Sequence, residues 1–93
     1  MIKSFKDETT KLVFEGKRPK GIPADIFSAA RRKLVFVNAA TVLRDLESPP
    51  GNKLHPLDKD RKGQHAIWIN KQYRICFEWT AAGPENVEIV DYH

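Results

Sequence analysis

The run Gln64-His65-Ala66-Ile67-Trp68-Ile69-Asn70-Lys71-Gln72-Tyr73-Arg74-Ile75-Cys76-Phe77-Glu78-Trp79 carries the period of a β-sheet and decides the fold. Side chains alternate across a strand, so placing Ile75, Phe77 and Trp79 on an inner face turns Arg74, Cys76 and Glu78 to the other. Gln64–Ile69 and Tyr73–Trp79 read as two strands joined by a tight turn around Asn70-Lys71. Working outward, Lys53–Leu57 and Val87–Tyr92 show the same period and read as flanking strands. Ser48-Pro49-Pro50-Gly51-Asn52 is a firm stop, and upstream of it the period lengthens. Leu12, Val13 and Phe14 give a short helix over Asp7–Phe14. Pro23 suits the first turn of a longer helix whose apolar positions Ile26, Ala30, Leu34 and Val37 follow one face. Arg31, Arg32 and Lys33 fall largely off that stripe and read as a solvated basic face in preference to an RNA contact. Thr41 can cap a further short piece through Leu46, and Met1–Phe5 reads as a short N-terminal strand. Between the helices, Gly16 to Gly21 holds two Gly, one Pro and three cations and reads as an exposed loop.

Helices come first and strands last. The expected fold is therefore α+β: an N-terminal strand and two to three helices packed on one face of a mainly antiparallel sheet of four to five strands. The other sheet face is left to hold a site. No internal repeat, low-complexity tract or linker divides the chain, so residues 1–93 are expected to form a single domain.

Composition bounds the rest. A chain of 93 residues buries only about 60–65% of the surface of its unfolded form, enough for one modest core. The lone Cys76 excludes an internal disulfide framework, and its apolar neighbours Ile75 and Phe77 mark it as a buried small hydrophobe. Lys3, Lys6, Asp7 and Glu8 interrupt any apolar run of the signal-peptide kind, and no stretch reaches the length of a membrane span. The expected location is the cytoplasm. Sixteen Lys and Arg against 12 Asp and Glu give a net charge of +4, which favours a polyanionic partner without naming it.

Three segments can carry chemistry. Arg74, beside Tyr73 and across the hairpin from Trp68, offers a guanidinium for phosphate and rings for bases. A cross-strand salt bridge from Arg74 to Glu88 explains it equally well. The segment Lys53-Leu54-His55-Pro56-Leu57-Asp58-Lys59-Asp60-Arg61-Lys62-Gly63 sets an imidazole at a strand edge and follows it with a cationic loop. RNA is cut without metal when its own 2′-hydroxyl attacks the neighbouring phosphate. That reaction needs a base, an acid for the leaving 5′-oxygen, and cations around the crowded phosphorane. Histidine suits either proton role, although a single His at a strand end is more often surface decoration. The strand Val87-Glu88-Ile89-Val90 then runs into Asp91-Tyr92-His93, a carboxylate, a phenol and an imidazole held at fixed positions. His55, His65, His93 and Asp91 show no recognised metal-ligand spacing, so neither metal nor cofactor is expected.

With these residues in place the chain resembles the HigB-like toxins, the plasmid maintenance killer family, within the RelE and ParE toxin superfamily. The resemblance rests on Met1-Ile2-Lys3-Ser4-Phe5, on Lys53-Leu54-His55-Pro56-Leu57 followed by Asp60-Arg61 and Gly63, on Tyr73-Arg74-Ile75-Cys76-Phe77, and on Val90-Asp91-Tyr92-His93. It implies a RelE-like fold and a type II toxin that cleaves messenger RNA in the ribosomal decoding site. It also implies restraint by a helix-turn-helix, HigA-like antitoxin, through which alone operator DNA is bound. Carried onto matching positions, it suggests His55 and His93 for proton transfer, Asp91 as a base or orienting group, Tyr92 for stacking or proton handling, and Arg74 as a phosphate clamp. Lys53, Lys59, Arg61, Lys62 and Tyr73 are the expected RNA and phosphate contacts. Many members carry a lysine directly after His-Pro-Leu, where this chain has Asp58 with Lys59 next; a carboxylate there points to an attenuated nuclease.

Two rivals use the same fold. A ParE-like gyrase inhibitor has no need of His55 and the Asp91-Tyr92-His93 end. A non-catalytic RNA-binding module would keep the basic loops and lose nothing on His55→Ala.

Overall fold

The computed structural model describes residues 1–92. Helix α1 spans Glu8–Phe14 and α2 spans Ala24–Ala39. Four strands follow, β1 His55–Pro56, β2 Gln64–Trp68, β3 Tyr73–Thr80 and β4 Gly83–Asp91. They pair antiparallel throughout in the order β1-β2-β3-β4. Three short 3-10 turns, Leu43–Glu47, Pro50–Asn52 and Lys59–Arg61, complete the described elements. The expected α+β arrangement is the one formed.

Asp7 starts α1 by accepting the Thr10 backbone N–H at 2.7 Å. The α2 stripe behaves as its spacing predicts: Ile26, Ala30, Leu34 and Val37 are buried against Ile67, Ile75, Phe77 and Val87 of the sheet. Trp79 and Ile89 pack partly against the same cluster, so the inner-face assignment of Ile75, Phe77 and Trp79 holds. The Asn70 side chain closes the β2–β3 turn by accepting the backbone N–H groups of Gln72 and Tyr73, both at 2.8 Å.

Several local expectations give way to tertiary context. The N-terminal segment is not a strand of its own. It makes one parallel bridge, Phe5 to Val87, and shields the outer edge of β4 with bonds such as Lys6 N–H to the Val87 carbonyl at 2.9 Å. Further along that edge the Thr10 hydroxyl accepts the Ile89 N–H at 2.9 Å, so α1 caps the sheet where the N-terminal segment ends. Pro23 stands just before α2, at its N-cap. Thr41 does not cap by accepting; its N–H and hydroxyl both donate to the Asp45 carboxylate, which these bonds hold below its usual pKa.

Lys33 is the clearest departure. It is buried, not solvated, and its ammonium donates to the Asn52 side-chain oxygen while Asn52 donates to the carbonyls of Leu46 and Ser48. Burial, then the nearby Arg32, pushes the Lys33 pKa down. Arg31 keeps to the surface but donates to the Phe14 carbonyl at 3.2 Å, satisfying an orphan acceptor at the end of α1. The first strand is shorter than its sequence pattern, because Lys53 adopts a left-handed φ of 50° and Pro56 has no N–H to pair.

Candidate active site

The face of the sheet turned away from the helices carries two rows, the first set by register and the second by cation–ring contacts. His55 pairs with Ala66, Ala66 with Cys76 and Cys76 with Glu88. The second row is built from alternating cations and rings. The Lys53 ammonium lies 4.9 Å from the centre of the Trp68 ring, the Arg74 guanidinium 3.9 Å from that same ring and 5.3 Å from the Tyr92 ring. Each such contact contributes about 0.5–2 kcal/mol depending on its exposure. The ladder Lys53, Trp68, Arg74, Tyr92 therefore runs across the sheet as one continuous row of contacts.

Ala66 and Cys76, the small residues of the first row, form its floor and are fully buried. Tyr92 leans over them, its hydroxyl 3.8 Å from the Cys76 sulfur. Burial raises the Cys76 thiol above its ordinary pKa, which keeps it protonated and unsuited to act as a nucleophile. Burial, then the Cys76 contact, also raises the Tyr92 phenol, so at neutral pH it is a proton donor.

Opposite the ladder, the Lys59–Arg61 turn brings Arg61 down onto the floor. Its Nη1 donates to Glu88 Oε1 at 2.6 Å and to Gln64 Oε1 at 3.1 Å. The cation facing Glu88 is thus Arg61, where the sequence offered Arg74. Hydrogen bonding to Glu88 raises the Arg61 pKa further. Leu57, Asp58, Lys59, Asp60, Arg61 and Tyr92 line a cleft of about 290 Å³ over this corner. Asp58, the departure from the family pattern, sits in it with Lys59 beside it. Lys62 ends the turn and is exposed.

Arg74 itself is only 9% exposed. Its Nη1 donates to the carbonyls of Asn70 and Lys71, with Lys71 at 2.7 Å, so it pins the β2–β3 turn as well as facing the site. His55 is half-buried, and its Nδ1 lies 2.7 Å from the Lys53 carbonyl oxygen. A carbonyl only accepts, so Nδ1 is the donor in this contact, and in the neutral form of the ring Nε2 is the acceptor.

Strand parity separates two other expected residues from this group. Tyr73 and Asp91 pair with each other across β3 and β4, and Tyr73 packs against the helix-side core. Asp91 accepts from Gln72 Nε2 at 3.0 Å. Burial, then Asp91 and Asp25, raises the Tyr73 phenol pKa. The expected grouping of Tyr73 with Arg74 is therefore not what the register produces. His93 lies outside the described residues. Trp68 and Glu88 are members of the face that sequence reasoning placed only as neighbours; their pairing with Arg74 and Cys76 in the strand register is the signal that locates them. Among the described residues no group of three or more His, Cys, Asp or Glu is placed to hold a metal ion, and no helix is long and apolar enough to cross a membrane.

An antiparallel sheet with helices on one face and a basic, aromatic, imidazole-bearing opposite face defines a small α+β protein whose candidate site lies on the open face of the sheet. Residues 3–93 match the HigB-like toxins, RelE-like toxins of type II toxin–antitoxin systems, and the chain belongs to that family. It is 41% identical over 80 residues to Toxin HigB-1 of Vibrio cholerae serotype O1, covering 85% of this chain and 84% of that protein. It is 34% identical over 93 residues to Endoribonuclease HigB of Proteus vulgaris, covering the whole of both. An uncharacterized protein of Haemophilus influenzae is 30% identical over 76 residues, 81% of this chain and 75% of its own. Membership in a toxin–antitoxin family brings with it an antitoxin partner.

Proposed function

We propose that this toxin is a metal-independent endoribonuclease that cuts messenger RNA on the ribosome, with His55 taking the proton of the attacking 2′-hydroxyl. The observation that carries the reading is the fixed tautomer of His55 beside a floor bounded by two guanidinium groups. In the neutral ring this contact leaves Nε2 as the acceptor, the state that a general base requires. Arg61 lies over the floor and Arg74 stands beside it, both available to a phosphorane whose charge grows in the transition state. The Tyr92 phenol, protonated at neutral pH, is suited to donate toward the phosphate or the leaving 5′-oxygen. β1 and β3 stand two strand spacings apart, about 10 Å, and Tyr92 already reaches back over β3 to Cys76. A phosphodiester bridging that gap meets the imidazole from one side and the phenol from the other. His93 enters this proposal as a proton-transfer group, and Lys53, Lys59 and Lys62 as sequence-independent contacts to flanking phosphates.

The antitoxin is proposed to be a HigA-like helix-turn-helix protein that alone contacts operator DNA, and the site of action to be the cytoplasm. Mapping transcript 5′ ends after induction tests the enzyme assignment. His55→Gln is expected to lower cutting by about 10²–10⁴-fold with the fold retained, the usual weight of a general base. Undiminished cutting by that variant removes His55 from the reaction. Growth arrest with intact transcripts and DNA-damage signalling would return the gyrase-inhibitor reading.

A further inference from the structure

His55, Lys59 and Arg61 lie in a segment with little core of its own. Of residues 47–65, Asn52 alone is buried, and fully so, while its neighbours Gly51 and Lys53 are exposed. A side-chain amide in that position has one acceptor and two donor hydrogens to satisfy. All three are used. Oδ1 accepts from the Lys33 ammonium, and Nδ2 donates to the carbonyls of Leu46 at 3.1 Å and Ser48 at 3.2 Å. The backbone closes the turn, with Asn52 N–H donating to the Pro49 carbonyl at 2.9 Å and Lys53 N–H to the Pro50 carbonyl at 3.1 Å. One side chain thus ties the 46–53 loop to α2.

Lys33 is a costly tether. It is buried, with the Phe36 ring centre 5.6 Å from its ammonium, and among the described residues no carboxylate is in ion-pair contact with it. Burial lowers its pKa, the expected response of a cation in such surroundings. An apolar pair of the same volume is often as stable as a buried polar one, whereas the polar pair selects a single arrangement of the groups around it.

That arrangement bears on the residue after Asn52. Lys53 has a left-handed φ of 50°, a conformation that a lysine keeps only where its surroundings impose it. Its carbonyl meets His55 Nδ1 at 2.7 Å, and its ammonium lies 4.9 Å from the centre of the Trp68 ring. The contact that orients His55 and the first rung of the ladder both start from the residue that the Asn52 turn holds.

We propose that Lys33 and Asn52 are positioning residues for His55: their buried contact fixes the turn that aims the Lys53 carbonyl at the imidazole. The consequence for RNA cutting rests on the nuclease role above, while the positioning itself rests on the contacts alone. Two variants of the full chain test it. Lys33→Met leaves the Asn52 oxygen without its donor. Lys33→Met combined with Asn52→Leu replaces the pair by apolar groups of similar shape and is expected to bring Tm back toward that of the unaltered chain. In both variants nitrogen-15 NMR at alkaline pH is expected to show the His55 ring changing from one Nδ1-protonated form to a mixture of tautomers. Cutting at saturating toxin on programmed ribosomes is expected to fall about ten- to hundredfold, with the half-saturating concentration changed by less than about twofold.

A purely structural role predicts that the double variant recovers Tm, ring signature and cutting together, and that result overturns the proposal. So does an undisturbed His55 ring in both variants, or a double variant less stable than Lys33→Met alone. A changed ring with cutting unaltered, in a protein that His55→Gln also leaves active, keeps the positioning and removes His55 from the reaction. The same result where His55→Gln is inactive overturns the proposal, because cutting then needs His55 but not its placement by this pair.

Discussion

Glu88→Gln separates what stabilises the resting protein from what binds RNA. In the free chain Arg61 is bonded to Glu88 at 2.6 Å, with side-chain exposures of 30% and 12%. Charge centres about 4 Å apart attract by about 4 kcal/mol at an effective dielectric of 20, and desolvation cancels most of that. Hydrogen bonds to charged groups retain about 1.5–3 kcal/mol net. Glutamine keeps a neutral acceptor and Arg61 is partly solvated, so the expected loss is about 1 kcal/mol, a fall in Tm of about 4–8 °C for a domain of this size. Glu88 competes with a phosphate for the Arg61 guanidinium, so the variant should bind a single-stranded RNA oligonucleotide about fivefold tighter. Thermal melts read the first effect and fluorescence anisotropy at fixed salt the second. Arg61→Gln in the same background should abolish the gain. A Glu88→Gln protein that binds RNA more weakly, or a gain that survives loss of Arg61, refutes the idea that Glu88 holds Arg61 in place of substrate.

Phe77 is fully buried at the centre of β3, and Phe77→Ala should cost about 3–5 kcal/mol in urea unfolding, a large share of the total stability of a small domain. His65 has a folded pKa below its unfolded value of about 6.5, so its contribution to stability is complete above that pH and is lost as pH falls through it. His65→Gln should therefore flatten the decline in unfolding midpoint between about pH 7 and pH 5, and an unchanged slope would show that other groups produce it. Trp68→Leu removes the ring shared by Lys53 and Arg74; it should raise fast motion at the Arg74 side chain and weaken RNA binding by about three- to thirtyfold, the loss of one or two cation–ring contacts.

The architecture was legible because its deciding signals are local. Alternation in Tyr73–Trp79 and the four-residue spacing from Ile26 to Leu34 each fix a face without reference to the rest of the chain. Lys33 shows where such reasoning ends. A lysine one position from a buried Leu34 reads as surface, and only the return of the chain through the 46–52 segment supplies the Asn52 acceptor that lets it be buried. Arg61 shows the same limit in the site. The loop composition marks it as a cation, but its partner lies 27 residues away on β4, and nothing in either segment alone chooses Arg61 over Arg74 for Glu88. Parity, in contrast, does separate Asp91 and Tyr73 from Tyr92 and Arg74. Motif reading grouped them because it weighs proximity in sequence above the side to which each residue points.

The resting site is satisfied from within, and that bears on how such a toxin is controlled. Arg61 has Glu88, Arg74 has the turn carbonyls and two rings, and Tyr92 covers Cys76. None of these groups needs substrate to be stable, so on the proposed role RNA competes with contacts already made: a phosphate with Glu88, a base with a stacked ring. Exchange of nearly equal interactions gives weak affinity for free RNA, since gains and losses cancel. A strand already held extended by another body incurs less ordering cost on binding, which raises its net affinity above that of the same strand free in solution. The proposed action on ribosome-held message would then draw its preference over loose RNA from the resting contacts of the face itself, with Glu88 as the residue whose removal should narrow that preference.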